Sequence, residues 1–76
     1  MNHDSVIETA ADLGAVVRHA RQSAGMTQQH LANLTGSSRQ WIIRLEQGHH
    51  RMAMGAVFEV MWALNLEIIA RTDHTD

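Results

Sequence analysis

The stretch "GSSRQWIIRLEQG", residues 36–48, contains the clearest helix signal in this 76-residue chain. It opens with a glycine and two serines and closes with a glycine, and these residues favour the ends of helices. At about 100° per residue, Ile42 and Leu45 fall on one side of such a helix, with Trp41 at its edge. The stretch is therefore predicted to form an amphipathic helix that packs through Ile42 and Leu45.

The opposite side of this helix carries long hydrogen-bonding side chains. It consists of Gln40, Ile43, Arg44 and Gln47, with Arg39 at its flank near the helix start. The helix is thus anchored by one face and presents donors on the other. A plain solvated face is the alternative interpretation, because charge on an exposed helix face is common.

Charge is distributed unevenly along the chain, whose formal net charge is −2. Residues 13–51 contain five arginines and one glutamate, which gives +4, and the remaining residues carry −6. Because local charge decides where a polyanion docks, the acidic total does not exclude nucleic acid. Every basic side chain is an arginine, which suits bidentate contacts to phosphate, guanine or carboxylate.

Length and composition restrict the class of protein. A domain of this size buries a smaller share of its surface than a larger domain does, so oligomerisation is a natural source of extra core. The absence of cysteine excludes disulfides and thiolate metal sites. The N-terminus lacks the features of a signal peptide, and no apolar run is long enough to span a bilayer. We therefore expect a cytoplasmic protein with no membrane partner.

Caps and apolar spacing predict four helices. They run from Thr9 to Gly25, from Thr27 to Gly36, from Ser37 or Ser38 to about Gln47, and from Met54 to Leu64. In the first, Thr9 and Asp12 have the spacing of a capping box. In the last, one apolar face is assigned to Met54, Val57, Phe58, Val60, Met61 and Leu64. Asn65 is expected to take the left-handed conformation that ends this helix.

The segment "LEIIAR", residues 66–71, is the one strand candidate, because of its β-branched content. A lone strand leaves its backbone groups unpaired, so it needs a partner from outside the chain. The simplest partner is its own copy across a two-fold axis, paired antiparallel. The candidate dimer interface is then Leu66, Ile68, Ile69 and Ala70. A frayed tail is the alternative.

The sequence "TQQHLANLTGSSRQWIIRLEQG", residues 27–48, resembles the Cro and phage-repressor family of helix-turn-helix proteins, the XRE type. The matching positions are Thr27–Gln28, Leu31–Ala32, Gly36, Ile42, Leu45, Glu46 and Gly48. The resemblance covers residues 12 to about 65. This chain departs from the family pattern at two positions. A small apolar residue is usual at position 37, which is Ser37 here, and a polar residue is usual at position 43, which is Ile43 here. The resemblance implies an all-α, lambda-repressor-like domain of four helices, followed by one C-terminal strand that pairs across a homodimer.

The resemblance also implies roles for individual residues. Arg39, Gln40 and Arg44 take base-reading positions, since arginine fits the O6/N7 edge of guanine and glutamine the N6/N7 edge of adenine. Ile43 is a candidate contact for a thymine methyl group or for a neighbouring protein. The implied phosphate contacts are Gln28, Ser38 and Thr27 at helix starts. Arg21 and Glu46 are implied to form an ion pair that ties the first helix to the third.

Three segments together narrow the resemblance to the HipB-like branch of antitoxin regulators. They are "TAADLGAVVRHAR", "SSRQWIIRLEQG" and "ALNLEIIAR". This branch implies a nucleoid-associated homodimer on a palindromic double-stranded operator, autorepression, and a HipA-like kinase toxin as partner. Two alternatives stay open: a stand-alone phage-type or metabolic repressor, and a protein-binding adaptor that has lost DNA binding.

Six histidines raise the question of a metal or catalytic site. The adjacent pair His49–His50 does not face one site on a helix, and no acidic residue lies beside it at ligand spacing. No nucleophile–base pair or phosphate-cradling loop is present. We expect no enzyme activity, no metal and no cofactor. His49 and Arg51 are assigned as phosphate contacts, with plain loop residues as the alternative.

Trp62 falls roughly 140° from Val57 on the helical wheel, outside the apolar face. Two interpretations stay open: a ring lying on its own domain, or a contact with a second subunit or partner. The chain is thus divided into a flexible N-terminus (1–8), a DNA-binding domain (9–65), a dimerisation strand (66–71) and a flexible tail (72–76).

Overall fold

The computed structural model describes residues 5–72, which contain four α-helices. They are α1 (Ala10–Ser23), α2 (Gln28–Thr35), α3 (Arg39–Glu46) and α4 (Met54–Ala63). The all-helical prediction is confirmed for this range. The outer parts of the two predicted flexible ends, 1–4 and 73–76, lie outside the described residues. In the described part of the chain, no helix has the length and hydrophobicity needed to cross a bilayer.

The first three helices begin at side-chain caps. At α1, the Thr9 hydroxyl accepts from the Asp12 N–H at 3.1 Å and the Asp12 carboxylate accepts from the Thr9 N–H at 3.2 Å, which completes the capping box. Thr27 and Ser38 cap α2 and α3, each accepting an N–H at 3.0 Å. Ser38 is therefore the cap of the third helix. By contrast, α4 follows Ala53 without a side-chain cap.

The core is formed by apolar side chains from all four helices. Its members are Val17, Leu31, Ala32, Ile42, Leu45, Val57, Val60 and Met61, each at most 2% exposed. Contacts between α1 and α3, α2 and α3, and α2 and α4 hold the helices together. Burying a side chain of this size contributes about 1.5–3 kcal/mol, so this cluster is the main source of stability.

The prediction that Met54 belongs to the apolar face of α4 is wrong. Val57, Val60 and Met61 are buried, but Met54 is 61% exposed. Met54 is the first residue of α4, one turn before Val57, where burial of this helix begins. Helical periodicity gives the direction of a side chain but not where a neighbouring helix stops covering it.

Two glycines allow α1 to contact the C-terminal end of α3 closely. A Cβ atom on Gly14 would lie 2.5 Å from the carbonyl oxygen of Leu45 and 2.6 Å from that of Glu46. A Cβ atom on Gly48, whose φ is +82°, would lie 2.7 Å from the Cα of Ala11. The backbones therefore meet without intervening side chains, which sets the position of α3 against α1.

Residues 66–72 follow α4 without regular secondary structure in the single chain. The N–H of Leu66 donates to the carbonyl of Met61 at 2.8 Å, and its side chain packs half-buried against the core. Ile68 and Ile69 are 54% and 64% exposed. Residues 66–71 form no strand within the described residues, so the strand and its pairing with a second copy both stay predictions.

Candidate nucleic-acid interface

The two faces of α3 differ sharply in burial. Ile42 and Leu45 are 0% and 2% exposed, and they fasten the helix to the core. Arg39, Gln40 and Arg44 are exposed on the other side. The structure thus places these three predicted base-reading side chains on one accessible surface. Ile43 is half-buried, so only part of this predicted contact faces outward.

Arg21 and Glu46 form a bidentate ion pair between α1 and α3. Arg21 Nε donates to Glu46 Oε2 at 2.6 Å, and Nη2 donates to Oε1 at 3.0 Å. The two side chains are 10% and 4% exposed. A third donor, Nη1, bonds to the carbonyl of Met26 at 2.8 Å, which holds the loop between α1 and α2. Bidentate charge-assisted bonds of this kind are among the stronger ones in proteins and fix orientation as well as distance.

The pKa of Arg21 is raised above its ordinary value. Its hydrogen bonds to the Glu46 carboxylate raise the pKa most, burial lowers it, and the charge of Glu46 raises it further. A raised pKa means that the stability contributed by this guanidinium is fully present below the ordinary arginine pKa and is lost only as the pH rises through the higher folded-state value. The guanidinium therefore stays charged throughout the physiological pH range.

Gln28 extends the ion pair to the second helix. Its side-chain Nε2 donates to Glu46 Oε1 at 3.1 Å. Glu46 on α3 consequently holds Arg21 from α1 and Gln28 from α2, so three helices meet at one carboxylate. The second hydrogen of the Gln28 amide is the donor that the predicted phosphate contact would use. Nothing in the sequence indicates this bond, because residues 28 and 46 are brought together only by the packing of α2 on α3.

The other predicted phosphate contacts are exposed. Thr27 and Ser38 use their hydroxyl oxygens as cap acceptors, which leaves each hydroxyl hydrogen free to donate. His49 Nδ1 accepts from the backbone N–H of Arg51 at 3.2 Å, so a neutral His49 carries its hydrogen on Nε2. The rings of His49 and His50 stack with centroids 5.7 Å apart. These groups offer donors just after the end of α3.

The positive charge of residues 13–51 lies at the surface. Arg21 and Glu46 neutralise each other inside the domain, which leaves the net +4 of this range on four exposed arginines. They are Arg18, Arg39, Arg44 and Arg51. An exposed positive surface of this kind attracts a polyanion and accelerates its docking.

Two open grooves of about 400 Å³ each lie on the surface away from α3. The first, here called the tail groove, is bordered by Phe58, Met61, Trp62, Leu66, Glu67 and Ile68. Trp62 is 66% exposed and stacks on Phe58 with centroids 6.2 Å apart. Its ring thus contacts its own helix and still faces solvent.

Within residues 5–72, no three histidine or acidic side chains are grouped to hold a metal ion.

Sequence comparisons agree with this architecture. The model of the helix-turn-helix domain family matches residues 12–66. The HTH-type transcriptional regulator y4mF of Sinorhizobium fredii, itself uncharacterized, is 36% identical over 62 residues, which cover 82% of each chain. The family match includes all of α2 and α3.

Solved structures show the same fold. HipB in its complex with the O4 20mer has a TM-score of 0.83 at 21% identity, over 93% of this chain and 100% of that one. The match to the HipA–HipB–O2–O3 complex has the same values. The restriction-modification controller protein C.AhdI from Aeromonas hydrophila has a TM-score of 0.69 at 26% identity, over 76% of this chain and 84% of that one. The chain therefore belongs to the XRE-type helix-turn-helix domain family and is a DNA-binding transcriptional regulator.

Proposed function

We propose that this chain is a homodimeric transcriptional repressor that reads a palindromic operator through α3. The single observation that carries the proposal is the division of α3 into a buried face and an exposed face of arginine and glutamine. Arg39 and Gln40 are the first two residues of α3, and Arg44 lies one turn further on the same side. The N-terminal residues of a recognition helix are those that meet base edges in the major groove.

The proposed contacts follow from donor geometry. Arg39 and Arg44 suit guanine and Gln40 suits adenine, and each bidentate pairing gives ~1–3 kcal/mol of discrimination. Ile43 is proposed to touch a thymine methyl group. Backbone-positioning contacts are proposed for Thr27, Gln28, Ser38, His49 and Arg51.

A dimer supports the reading of a palindrome. Pairing of residues 66–71 across a two-fold axis satisfies the backbone groups of this segment. Two copies of α3 would then reach successive major grooves about 34 Å apart.

The antitoxin role is part of the proposal. The likeness to HipB, which has been solved together with HipA, supports a HipA-like kinase toxin as the second partner. The exposed Trp62 offers an aromatic anchor of the kind that is enriched at interfaces. The likeness to C.AhdI, a controller protein, favours the alternative of a stand-alone repressor with no toxin. Co-purification with the product of the neighbouring gene distinguishes these two functions.

We predict that Arg39→Ala and Gln40→Ala each relax base preference at one or two positions of the operator, by roughly 5- to 150-fold per contact. Both side chains are exposed, so the melting temperature should stay within a few degrees of that of the wild type. The measurement is binding to duplexes selected from a random pool and to their single-base variants.

Arg18→Ala is the matched control for this experiment, because it removes an exposed arginine from α1 rather than α3. It should leave base preference unchanged. If Arg39→Ala and Gln40→Ala both bind selected and scrambled duplexes as the wild type does, α3 does not read bases and the proposal is wrong.

We also predict that binding weakens steeply with salt, since log K falls with a slope of about −0.9 per phosphate contact. Arg51→Gln should make this slope shallower by about 1 and leave base preference unchanged. The measurement is a set of operator-binding titrations at salt concentrations between about 50 and about 300 mM. A plot of log K against log salt concentration gives the slope directly. An unchanged slope would show that Arg51 makes no phosphate contact.

A further inference from the structure

Leu66, at the start of the C-terminal segment, is half-buried on the core. Glu67 and Ile68 border the tail groove, and residues 67–72 are all exposed. Because side chains alternate in a strand, a strand over residues 66–71 would place Leu66, Ile68 and Ala70 on one side and Glu67, Ile69 and Arg71 on the other.

Symmetry restricts how two such segments can pair. When two identical strands pair antiparallel about a two-fold axis, that axis is perpendicular to the two-stranded sheet. Directly opposite residues of an antiparallel pair lie on the same face. One residue must therefore lie at the two-fold axis, directly opposite its own copy, and the register is said to be centred on that residue. The candidates are Ile68, Ile69 and Ala70.

Charge selects one of these three registers. Centring on Ile69 places Glu67 opposite Arg71 of the partner subunit, and symmetry repeats this pair. Centring on Ile68 places Glu67 opposite Ile69 of the partner subunit, whereas centring on Ala70 places Arg71 opposite Ile69 of the partner subunit. Only the first register pairs both exposed charges of the segment with opposite charges.

We infer that two copies of this chain pair through residues 66–71 in the register centred on Ile69, locked by two Glu67–Arg71 cross-strand ion pairs. The inference rests on the proposed dimeric repressor and specifies its self-recognition surface. Opposite charges directly across a strand pair are stabilising and like charges are destabilising. The ion pairs thus favour a second copy of this chain over strands of other charge pattern.

The register also has a consequence for DNA binding. Moving the centre by one residue slides one strand by two residues along the other, which is about 7 Å. A slide of that size displaces one recognition helix from the position about 34 Å from its partner that successive major grooves require. Glu67 and Arg71 would therefore set operator spacing although neither is part of the proposed DNA-contacting surface.

Charge reversal tests the ion pairs. Glu67→Arg and Arg71→Glu should each raise the dimer Kd by about 10-fold or more, because two attractive pairs become repulsive. The double variant Glu67→Arg/Arg71→Glu should restore the wild-type Kd, and a mixture of the two single variants should form heterodimers in preference to homodimers. Sedimentation and native mass spectrometry measure these outcomes, and Arg18→Glu is the control for a change of net charge alone.

A cysteine scan reads the register directly, since the native chain has no cysteine. Ile69→Cys should form an intersubunit disulfide, because residues directly opposite have Cα atoms about 4.5–5.5 Å apart. Ile68→Cys and Ala70→Cys should not crosslink as single variants but should crosslink with each other when mixed. A wild-type chain that stays monomeric would overturn the dimer itself. A stable dimer that ignores charge reversal, or that crosslinks best through Ile68→Cys, would overturn only the register.

Discussion

Arg21→Met is expected to destabilise the domain by about 3–5 kcal/mol, because it leaves the Glu46 carboxylate buried without its cation. The Glu46 side chain is 4% exposed, and Gln28 alone would remain bonded to it. A domain of 76 residues has a free energy of unfolding of only about 4–11 kcal/mol. The variant should therefore lose between about a quarter and all of its free energy of unfolding. Urea denaturation followed by circular dichroism measures this loss.

The control for this effect is Arg18→Met, which removes an exposed arginine one turn earlier on the same helix. It should change the free energy of unfolding by no more than about 0.5 kcal/mol. The double variant Arg21→Met/Glu46→Leu removes both charges and should recover much of the loss. If Arg21→Met costs no more than Arg18→Met, the ion pair does not hold α1 to α3 in solution.

Gly14→Ala is expected to destabilise the domain by about 1–3 kcal/mol, the usual cost of overpacking a tight contact. The added Cβ would lie 2.5 and 2.6 Å from two backbone carbonyl oxygens of α3, and neither can rotate away. The two helices must then separate, which also shifts the exposed face of α3. We expect weaker operator binding together with a lower melting temperature.

Gly55→Ala provides the matched control, because Gly55 is also helical and has nothing within 4 Å of an added Cβ. It should raise stability by up to about 1 kcal/mol through the gain in helix propensity. Both substitutions gain helix propensity, so the difference between the free energies of unfolding of the two variants measures the cost of the α1–α3 contact alone. Equal effects on thermal unfolding would contradict the direct backbone contact at Gly14.

Local features of the sequence were sufficient to predict the helices. The cap residues Thr9, Thr27 and Ser38 accept the hydrogen bonds expected of them, and the left-handed residues that end helices include Gly36 at φ +66° and Asn65 at φ +57°. These features involve residues a few positions apart, so spacing and residue type are enough to identify them. The buried face of α3 was predicted on the same basis.

Contacts between helices cannot be predicted from local spacing and residue type. The Gly14 contact, the bond from Gln28 to Glu46 and the exposure of Met54 all depend on how far one helix extends over another. The ion pair of Arg21 with Glu46 was expected only through a family resemblance, because 25 residues separate its partners. Periodicity gives a direction around one helix axis and contains no information on the neighbour.

Caps, glycines and side-chain spacing act within a few residues, so they locate the four helices and identify the apolar face of α3. They leave the start of α4 poorly marked, because no side-chain cap precedes it. The folded chain alone shows that one carboxylate, Glu46, holds three helices together and that a glycine on α1 sets the position of α3. These arrangements arise from packing between segments distant in sequence, where burial and backbone contact select partners that no local pattern specifies.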